Sequence, residues 1–163
     1  MSIHVVLYEP EIPANTGNIA RTCAGTHSHL HLIHPLGFST DDRMLKRAGC
    51  DYWPNVQIEH HDRFSDIPEK YPNAVFYFIE TIGEKNVYDF DYSNPDADYF
   101  FVFGKETTGL PSELTDQFKE QCFRIPQTDL VRSLNLSNTA AIVVYEALRQ
   151  QAFAPIAIKE AAD

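Results

Sequence analysis

The sequence has few cysteines and no long apolar run. Its 163 residues include three cysteines, Cys23, Cys50 and Cys122, and none of them belongs to a Cys-x-x-Cys pair. A disulfide framework and a cysteine-based zinc or redox site are therefore not expected, and the thiols are predicted to be reduced and half-buried. The apolar runs are only a few residues long, as at 140–145, whereas a membrane-spanning helix needs about 20. A membrane protein is therefore not expected.

The amino-terminal segment lacks the features of a secretory signal peptide. Residues 1–8 contain apolar side chains, but no basic region precedes them and no small-residue cleavage site follows them. Both features are needed for export. The sequence therefore predicts a cytoplasmic protein.

Positive charge is scarce. The chain has 13 lysines and arginines against 23 aspartates and glutamates, which gives a formal net charge of −10 at pH 7. This balance excludes a protein that attracts nucleic acid over its whole surface. Arg43, Lys46 and Arg47 form the densest basic cluster. Either a local nucleic-acid contact or an ordinary solvated helix face explains that cluster.

Several catalytic and metal-binding patterns are absent. The chain has no Gly-x-Gly-x-x-Gly, no P-loop Gly-Lys-Ser/Thr and no Gly-x-Ser-x-Gly, so dinucleotide binding, P-loop chemistry and serine hydrolysis lose support. Six of the histidines lie around the second predicted strand and beyond it: His27, His29, His31, His34, His60 and His61. No nearby carboxylate or cysteine completes a metal set, and the last two have no defined partner. Structural or solvated roles, with no metal, are favoured.

Strand-like segments alternate with helix-like segments along the chain. Apolar, β-branched or aromatic runs predict strands at Ile3–Tyr8, Leu30–Ile33, Ala74–Ile79, Tyr99–Phe103 and Cys122–Ile125. Helical spacing predicts helices at Thr16–Thr26, Asp41–Ala48, Ser65–Tyr71, Pro111–Phe118 and 135–151. This alternation is typical of an α/β fold, a mostly parallel sheet with flanking helices. We expect one domain over residues 1–163, ending in a loose tail at 152–163.

Two of the loops that follow strands could carry chemistry. After the first strand, Asn15 or Thr16 can cap a helix whose N–H groups form an anion site, and Arg21 could grip a phosphate. After a later strand, Gly104 and Gly109 lie where α/β sheets place ligands, at the carboxyl ends of strands. The alternative to a functional site is an ordinary capped helix at the first loop and a tight strand-to-helix turn at the second.

The start of the last helix is crowded with polar residues. Ser133, Asn135, Ser137 and Asn138 lie within six positions of one another. Two or three such residues are enough for the four N–H groups that a helix leaves unpaired at its start. Capping explains at least one of them, and the others are available for a ligand.

Taken together and in order, these segments resemble the three motifs of the SPOUT superfamily of RNA methyltransferases. The motifs are Asn15–Arg21, Phe103–Pro111 and Arg132–Asn138. Two further segments, Leu7–Pro13 and 37–53, look like the small YibK-like branch, the tRNA (cytidine/uridine-34) 2′-O-methyltransferases. The similarity covers residues 3–151.

The resemblance implies a fold, a cofactor and an activity. It implies an α/β domain with a carboxyl-terminal trefoil knot, a topology that is otherwise essentially absent from proteins. It also implies S-adenosylmethionine as cofactor and a homodimer in which both subunits complete each active site. The implied reaction is methyl transfer to the ribose 2′-oxygen of nucleotide 34, cytidine or a modified uridine, in leucine tRNAs. The alternatives are methylation of another tRNA or rRNA site and a non-catalytic RNA-binding module.

Individual site residues follow from the resemblance by position. It implies cofactor contacts at Ile79, Gly104, Ile125, Ser133 and Leu134. It implies catalytic roles for Arg21, Ser133 and Asn135. The implied substrate contacts, which include a basic groove for the anticodon loop, are Asn15, Arg21, Arg43, Lys46, Arg47 and Glu106.

The implied chemistry depends mainly on positioning and requires no metal. Arginine is a poor base because it is always charged, so Arg21 either stabilises the developing alkoxide beside a phosphate or is deprotonated through that phosphate. Two positions depart from the family pattern. His27 follows the first helix where relatives often have glycine, and Lys105 stands where they often have proline or serine.

Overall fold

A six-stranded sheet runs through the computed structural model, which describes residues 2–49, 53–81 and 83–156. The strands are β1 (Ser2–Tyr8), β2 (His29–Ile33), β3 (Ile58–His61), β4 (Ala74–Ile79), β5 (Asp98–Phe103) and β6 (Cys122–Phe123). Their order in the sheet is β3-β2-β1-β5-β4-β6, and every pair is parallel. The predicted mostly parallel sheet is confirmed.

Helices cover both faces of the sheet. They are α1 (Pro13–Thr26), α2 (Arg43–Gly49), α3 (Asp66–Lys70), α4 (Ser112–Gln117) and α5 (Leu136–Gln150). Val5 and Phe101 pack with α1 and α5 into one core cluster, whereas Val6 packs with Ile67 of α3 and Leu114 of α4 into another. Successive strand residues point to opposite faces, so the predicted α/β layering is confirmed. No helix in the described ranges is long and apolar enough to cross a membrane.

β3 is a strand that the apolar pattern does not predict. Ile58–His61 holds one apolar residue followed by a glutamate and two histidines, so the signal of an apolar strand is weak. The strand pairs with β2 at the edge of the sheet, from Leu30 opposite Ile58 to Ile33 opposite His61. Tertiary pairing therefore decides this element.

Histidines in β2, directly after β2 and in β3 contact one another. His61 Nε2 lies 2.9 Å from His31 Nδ1, and His34 Nε2 lies 2.8 Å from His60 Nδ1. The expectation that His60 and His61 lack defined partners is wrong. The expectation of no nearby carboxylate is also wrong, because Glu59 Oε2 lies 3.5 Å from a nitrogen of both His31 and His61. Parallel pairing of β2 with β3 brings His31 and His61 together although 30 positions separate them in the sequence. No local sequence pattern indicates such a contact.

Most element boundaries differ from the predicted ones by one or two residues, and the start of α1 differs by three. α1 begins at Pro13 rather than at Thr16, because proline lacks an N–H and its fixed φ suits the first turn of a helix. β6 ends at Phe123 rather than at Ile125. Beyond that point the backbone bonds instead to residues 85–87.

Both cysteines in the described part of the chain are buried and free. Cys23 packs in the core cluster of α1 and α5, and Cys122 packs in the cluster on the opposite face. They are fully rather than half-buried, because each faces a core. Burial raises the pKa of Cys23 to about 12 and that of Cys122 to about 11, so both thiols stay protonated at neutral pH. Cys50 lies outside the described residues.

The first part of the predicted loose tail is held in place. Phe153 and Ile156 are partly buried against the core cluster of α1 and α5. The Phe153 N–H also donates to the Leu148 carbonyl. The expectation of a loose tail is therefore wrong for residues 153–156, because two apolar side chains contact the core. Residues 157–163 lie outside the described residues.

The end of α1 is closed by a residue in the left-handed conformation. His27 has φ 52° and ψ 34°, and its N–H donates to the Cys23 carbonyl. The side chain is exposed. A histidine thus fills the place that glycine usually takes after a helix.

Replacing His27 with glycine is expected to raise the free energy of unfolding. The left-handed conformation costs a non-glycine residue about 1–2 kcal/mol, and the greater freedom of glycine in the unfolded chain offsets about 0.5–1 kcal/mol of that, which leaves a net gain of about 0.5–1 kcal/mol. Urea denaturation measures the change. His27→Ala is the matched control, since it removes the imidazole and keeps Cβ. Equal stability of the two variants would contradict strain at this position.

Candidate functional site

A cavity of about 440 Å³ lies at the carboxyl ends of β4 and β5. Its wall includes Ile79 at the end of β4, Gly104 directly after β5 and Ile125 shortly after β6. Because the strands are parallel, their carboxyl ends meet at one edge of the sheet, where α/β folds bind ligands. The volume falls in the usual range of small-molecule sites, about 300–1,000 Å³.

The structure brings most of the predicted site residues to this cavity. The wall contains every predicted cofactor contact and three further predicted catalytic or substrate residues: Ile79, Gly104, Ile125, Ser133, Leu134, Asn15, Glu106 and Asn135. The three motif segments are far apart in the sequence, so their convergence on one cavity is a result of the fold. The roles of the individual residues stay predictions.

The loop after β5 is shaped by two glycines. A Cβ on Gly104 would overlap the backbone of Gly109 and Leu110. Gly109 has φ +71°, and its N–H donates to the Lys105 carbonyl at 2.9 Å. The close approach at one glycine and the left-handed φ at the other allow the loop to fold back on itself beside the cavity.

The carboxylate of Glu106 anchors the loop that follows β1. Oε2 accepts from the Glu11 N–H at 2.9 Å, and Oε1 accepts from the Ile12 N–H at 3.2 Å and from the Asn15 side-chain amide at 3.4 Å. Neither Asn15 nor Thr16 caps α1, because Ile12 occupies the N-cap position. The donors lie at the start of a helix, where a negative group is favoured. The anion site expected there for a phosphate is therefore filled by a side chain of the protein.

Asn15 links this contact to the start of α5. The side chain is buried, and its Oδ1 accepts from Asn135 Nδ2 at 3.1 Å. Asn135 Oδ1 in turn accepts from the N–H groups of Ser137 and Asn138 at 2.9 and 3.2 Å, which caps α5. A continuous hydrogen-bonded path therefore runs from Glu106 through Asn15 to the start of α5, and we call it the three-segment path.

Two contacts that the sequence did not suggest join the loops after β1 and β5. Glu11 Oε1 accepts from the Thr107 hydroxyl at 2.6 Å and from its N–H at 3.1 Å, and these hydrogen bonds lower the pKa of the Glu11 carboxyl. Lys105 Nζ lies 3.6 Å from Glu9 Oε2. Lys105, which departs from the family pattern, therefore pairs with the loop after β1. These partners are separated by about 96 positions in the chain, and no spacing pattern connects them.

The predicted basic residues lie away from the cavity. Arg21 is exposed on α1, and Arg43, Lys46 and Arg47 are exposed on α2. α1 and α2 pack against each other, so these residues lie on adjacent helices. None of them is among the described residues that line the cavity. The chain thus separates the predicted cofactor contacts from the predicted basic RNA contacts.

Comparison of the sequence with known proteins agrees with this geometry. The sequence model of the SpoU rRNA Methylase family matches residues 2–145. A protein of Listeria innocua that is provisionally named tRNA (cytidine(34)-2′-O)-methyltransferase is 63% identical over 153 residues, which cover 94% of this chain and 90% of that protein.

Two solved structures are similar over nearly their whole length. A crystal structure of a provisionally named RNA methyltransferase from Bacillus anthracis is 57% identical, with a TM-score of 0.91, and the match covers 98% of this chain and 100% of that one. A structure that addresses 2-OH methylation of C/U34 on tRNA is 42% identical, with a TM-score of 0.85, and covers 93% and 97%. The family expected from the three motifs is confirmed, and the chain belongs to the SpoU rRNA methylase family.

Proposed function

We propose that this protein transfers a methyl group from S-adenosylmethionine to the ribose 2′-oxygen of nucleotide 34 of tRNA. The observation that carries this proposal is the convergence of the three motif segments on one cavity at the carboxyl edge of the sheet. By their names, the Listeria relative acts on cytidine 34 and the structure at 42% identity concerns C/U34 of tRNA. The chain is an RNA methyltransferase by family.

The cavity fits S-adenosylmethionine in size and in chemistry. Ile79, Ile125 and Leu134 supply apolar surface, and the loop 104–110 supplies backbone N–H and C=O groups beside it. This combination suits a ligand with a flat apolar base and polar edges. When bound, the cofactor supplies a methyl group activated by its sulfonium. The residues proposed to hold it are Ile79, Gly104, Ile125, Ser133 and Leu134.

The contribution of the protein is mainly to hold the reacting groups in position. The three-segment path fixes the loops after β1 and β5 relative to the start of α5. Alignment of this kind contributes about 7–11 kcal/mol to catalysis. Asn15 and Glu106 are already bonded to each other, so we propose positioning roles for them in place of direct substrate contacts. Ser133 and Asn135 line the cavity with exposed side chains and can donate hydrogen bonds to the ribose.

Arg21 is proposed to act on the RNA at the cavity of a second subunit. It is exposed on α1 and does not line the cavity of its own chain. A homodimer that places α1 of one subunit beside the cavity of the other brings the guanidinium to the substrate. Because the guanidinium is always charged, it donates to the phosphate next to the reacting ribose and stabilises the charge that develops on the 2′-oxygen.

Exposed apolar side chains support the homodimer. Ile12 and Leu134 line the cavity with 43% and 36% of their surface exposed, and Val131, which directly precedes the cavity residue Arg132, is 47% exposed. Large apolar groups that remain exposed close together are typical of protein interfaces. We propose that a second copy covers this region and completes each active site.

The basic residues of α2 are proposed to contact the tRNA backbone. Arg43, Lys46 and Arg47 are exposed on a helix that packs beside α1, and we propose that together with Arg21 they supply a local basic surface on an acidic protein. Phosphate contacts of this kind supply affinity that depends on salt. Selection of leucine isoacceptors then falls to exposed single-stranded bases of the anticodon loop.

The trefoil knot is also part of the proposal. The chain leaves β6 at one edge of the sheet, and α5 then packs against α1, β1 and β5. Gln150 and Gln151 at the end of α5 donate to the Phe90 and Tyr92 carbonyls, in the connection between β4 and β5. The close packing of α5 against this earlier connection supports a knot in which the carboxyl-terminal part of the chain passes through a loop. We further propose a single domain over 1–163 that works in the cytoplasm.

Mapping of methylated nucleotides tests the proposed substrate. Total RNA from cells that lack the gene is incubated with the purified protein and S-adenosylmethionine, and 2′-O-methylation is mapped in tRNA and rRNA. New methylation is expected at nucleotide 34 of leucine tRNAs. Methylation at another tRNA position or in rRNA, without methylation of nucleotide 34, would show that the substrate is that other nucleotide. No methylation by a protein that binds the cofactor would favour a non-catalytic RNA-binding module.

Glu106→Gln is expected to weaken cofactor binding. The substitution removes the charge from a carboxylate with three donors and places an NH₂ group against one of them, and hydrogen bonds to charged groups contribute about 1.5–3 kcal/mol, so an affinity loss of about tenfold or more is expected. Isothermal titration with S-adenosylmethionine measures it. Glu113→Gln, which removes the same charge from an exposed position on α4, is the control. Equal affinity of the two variants would overturn the anchoring role.

Lys46→Ala and Arg47→Ala together are expected to weaken tRNA binding without changing cofactor affinity. Each lost phosphate contact reduces the slope of log affinity against log salt by about 0.7–0.9. Filter binding at several salt concentrations measures both affinity and slope. Lys119→Ala removes a positive charge from an exposed position elsewhere and is the control. An unchanged slope in the double variant would show that these residues do not contact phosphates.

A further inference from the structure

A chain of histidines lies on the sheet face that α3 and α4 cover. His4 on β1, His31 on β2 and His61 on β3 alternate with residues of the other core face. His4 and His31 pack against Tyr71, directly after α3, and His61 stacks on His31. His4 and His31 are buried, and His61 is 8% exposed. None of these residues is among those that line the cavity, so the cluster is separate from the proposed active site.

The hydrogen bonds set the tautomer of each ring. The Ser2 hydroxyl donates to Asp98, so its oxygen accepts from His4 Nε2 at 2.9 Å. A neutral imidazole has one donor and one acceptor. His4 Nδ1 therefore accepts from His31 Nε2 at 2.8 Å, and His31 Nδ1 accepts from His61 Nε2 at 2.9 Å. The His31 ring thus presents an unprotonated Nδ1 towards β3.

A carboxylate oxygen without a hydrogen bond lies beside this pair. Glu59 Oε2 is buried and makes no hydrogen bond to the described residues. The other oxygen, Oε1, accepts from the Tyr71 hydroxyl and from Lys70 Nζ at 3.0 Å. Leaving a buried acceptor unsatisfied is costly, and such an atom usually has a partner that supplies positive charge or a proton.

The three nearest donor atoms come close to the spacing of a metal site. Glu59 Oε2 is 3.5 Å from both His31 Nδ1 and His61 Nε2, and tetrahedral zinc with bonds of about 2.0–2.1 Å to nitrogen and oxygen requires ligand atoms about 3.3–3.4 Å apart. The two nitrogens are 2.9 Å apart because a hydrogen bond joins them, so an ion that replaces this bond requires the two rings to separate by about 0.4–0.5 Å. Among the described residues, these three form the one group of histidine, cysteine or acidic side chains whose ligand atoms all lie within 4.8 Å of one another.

We propose that His31 Nδ1, Glu59 Oε2 and His61 Nε2 bind a divalent transition metal ion, with zinc as the ion that the ligands suit best. Two histidines and one carboxylate form a three-ligand zinc set that leaves a fourth position for water. On binding, His61 carries its proton on Nδ1 instead of Nε2, so both rings stay neutral and coordinate through a lone pair. The ion neutralises the unsatisfied oxygen of Glu59 and ties the edge strand β3 to β2.

The surrounding contacts hold the ligands in place. His31 donates its other ring N–H to His4 at 2.8 Å, and the second oxygen of Glu59 is held by Tyr71 and Lys70. Partners of this kind orient metal ligands, and their loss commonly weakens binding by about 10–100-fold. This ion takes no part in methyl transfer, and its effect is expected on the stability of the sheet edge.

Titration of the untagged, chelator-treated full-length protein with Co²⁺ tests the proposal. Co²⁺ replaces Zn²⁺ in four-coordinate sites, where it gives intense visible absorption. One Co²⁺ per chain with this spectrum is expected, together with its displacement by Zn²⁺ and a higher melting temperature of the wild-type protein in Zn²⁺. Absence of both the spectrum and the thermal shift in the wild-type protein would overturn the proposal, and this arm needs no variant to fold.

Variants identify the ligands. Glu59→Gln and His61→Ala are each expected to weaken Co²⁺ binding by about tenfold or more, since loss of a ligand costs at least as much as loss of a supporting contact. His60→Ala is the matched control, because His60 is the neighbouring histidine of the same strand, exposed and paired with His34. Metal-free melting curves confirm that each variant folds. Loss of Co²⁺ binding in His60→Ala with retention in Glu59→Gln would place the ion at the exposed pair and overturn the assignment.

Discussion

The contact on which the rest of the site depends is the carboxylate of Glu106 against the start of α1. It belongs to the loop after β5, yet its donors all come from the segment that follows β1. Hydrogen bonds to an ionised acceptor are roughly twice as strong as neutral ones. The two core clusters hold the sheet and helices together without this contact. They do not fix the position of the loop after β1 relative to the loop after β5. The shape of the cavity is therefore determined by polar contacts at its rim.

Much of the architecture could be read from the sequence because its signals are local. The apolar runs of β4 and β5 are continuous, as expected for strands covered on both faces, and those of β1 and β2 are interrupted only by histidines. The spacing in α5 places Ala140, Val144 and Leu148 on one buried side. The site could also be predicted from the sequence, because Gly104 lies directly after a strand and Asn135 lies directly before a helix. Parallel strands bring such positions to one edge.

The remaining features depend on pairing between distant residues. β3 carries Glu59, His60 and His61 in place of apolar residues, so only its position beside β2 makes it a strand. The contact of Glu11 with Thr107 has the same origin, since neither residue has a local reason to meet the other. Asn15 is one of two residues that the sequence offers as a cap of α1, and the structure instead uses its amide to join two other segments, because Pro13 starts the helix earlier.

The two edges of the sheet restrict how copies of this chain can associate. β3 has four residues at one edge, and β6 has two at the other, both shorter than the usual strand of about 5–6 residues. Short edges that carry charged side chains are a common protection against unwanted strand addition. Each edge therefore offers few backbone groups for pairing with a neighbouring molecule. Pairing of copies through strand edges is thereby disfavoured, and the protein gains resistance to edge-to-edge aggregation.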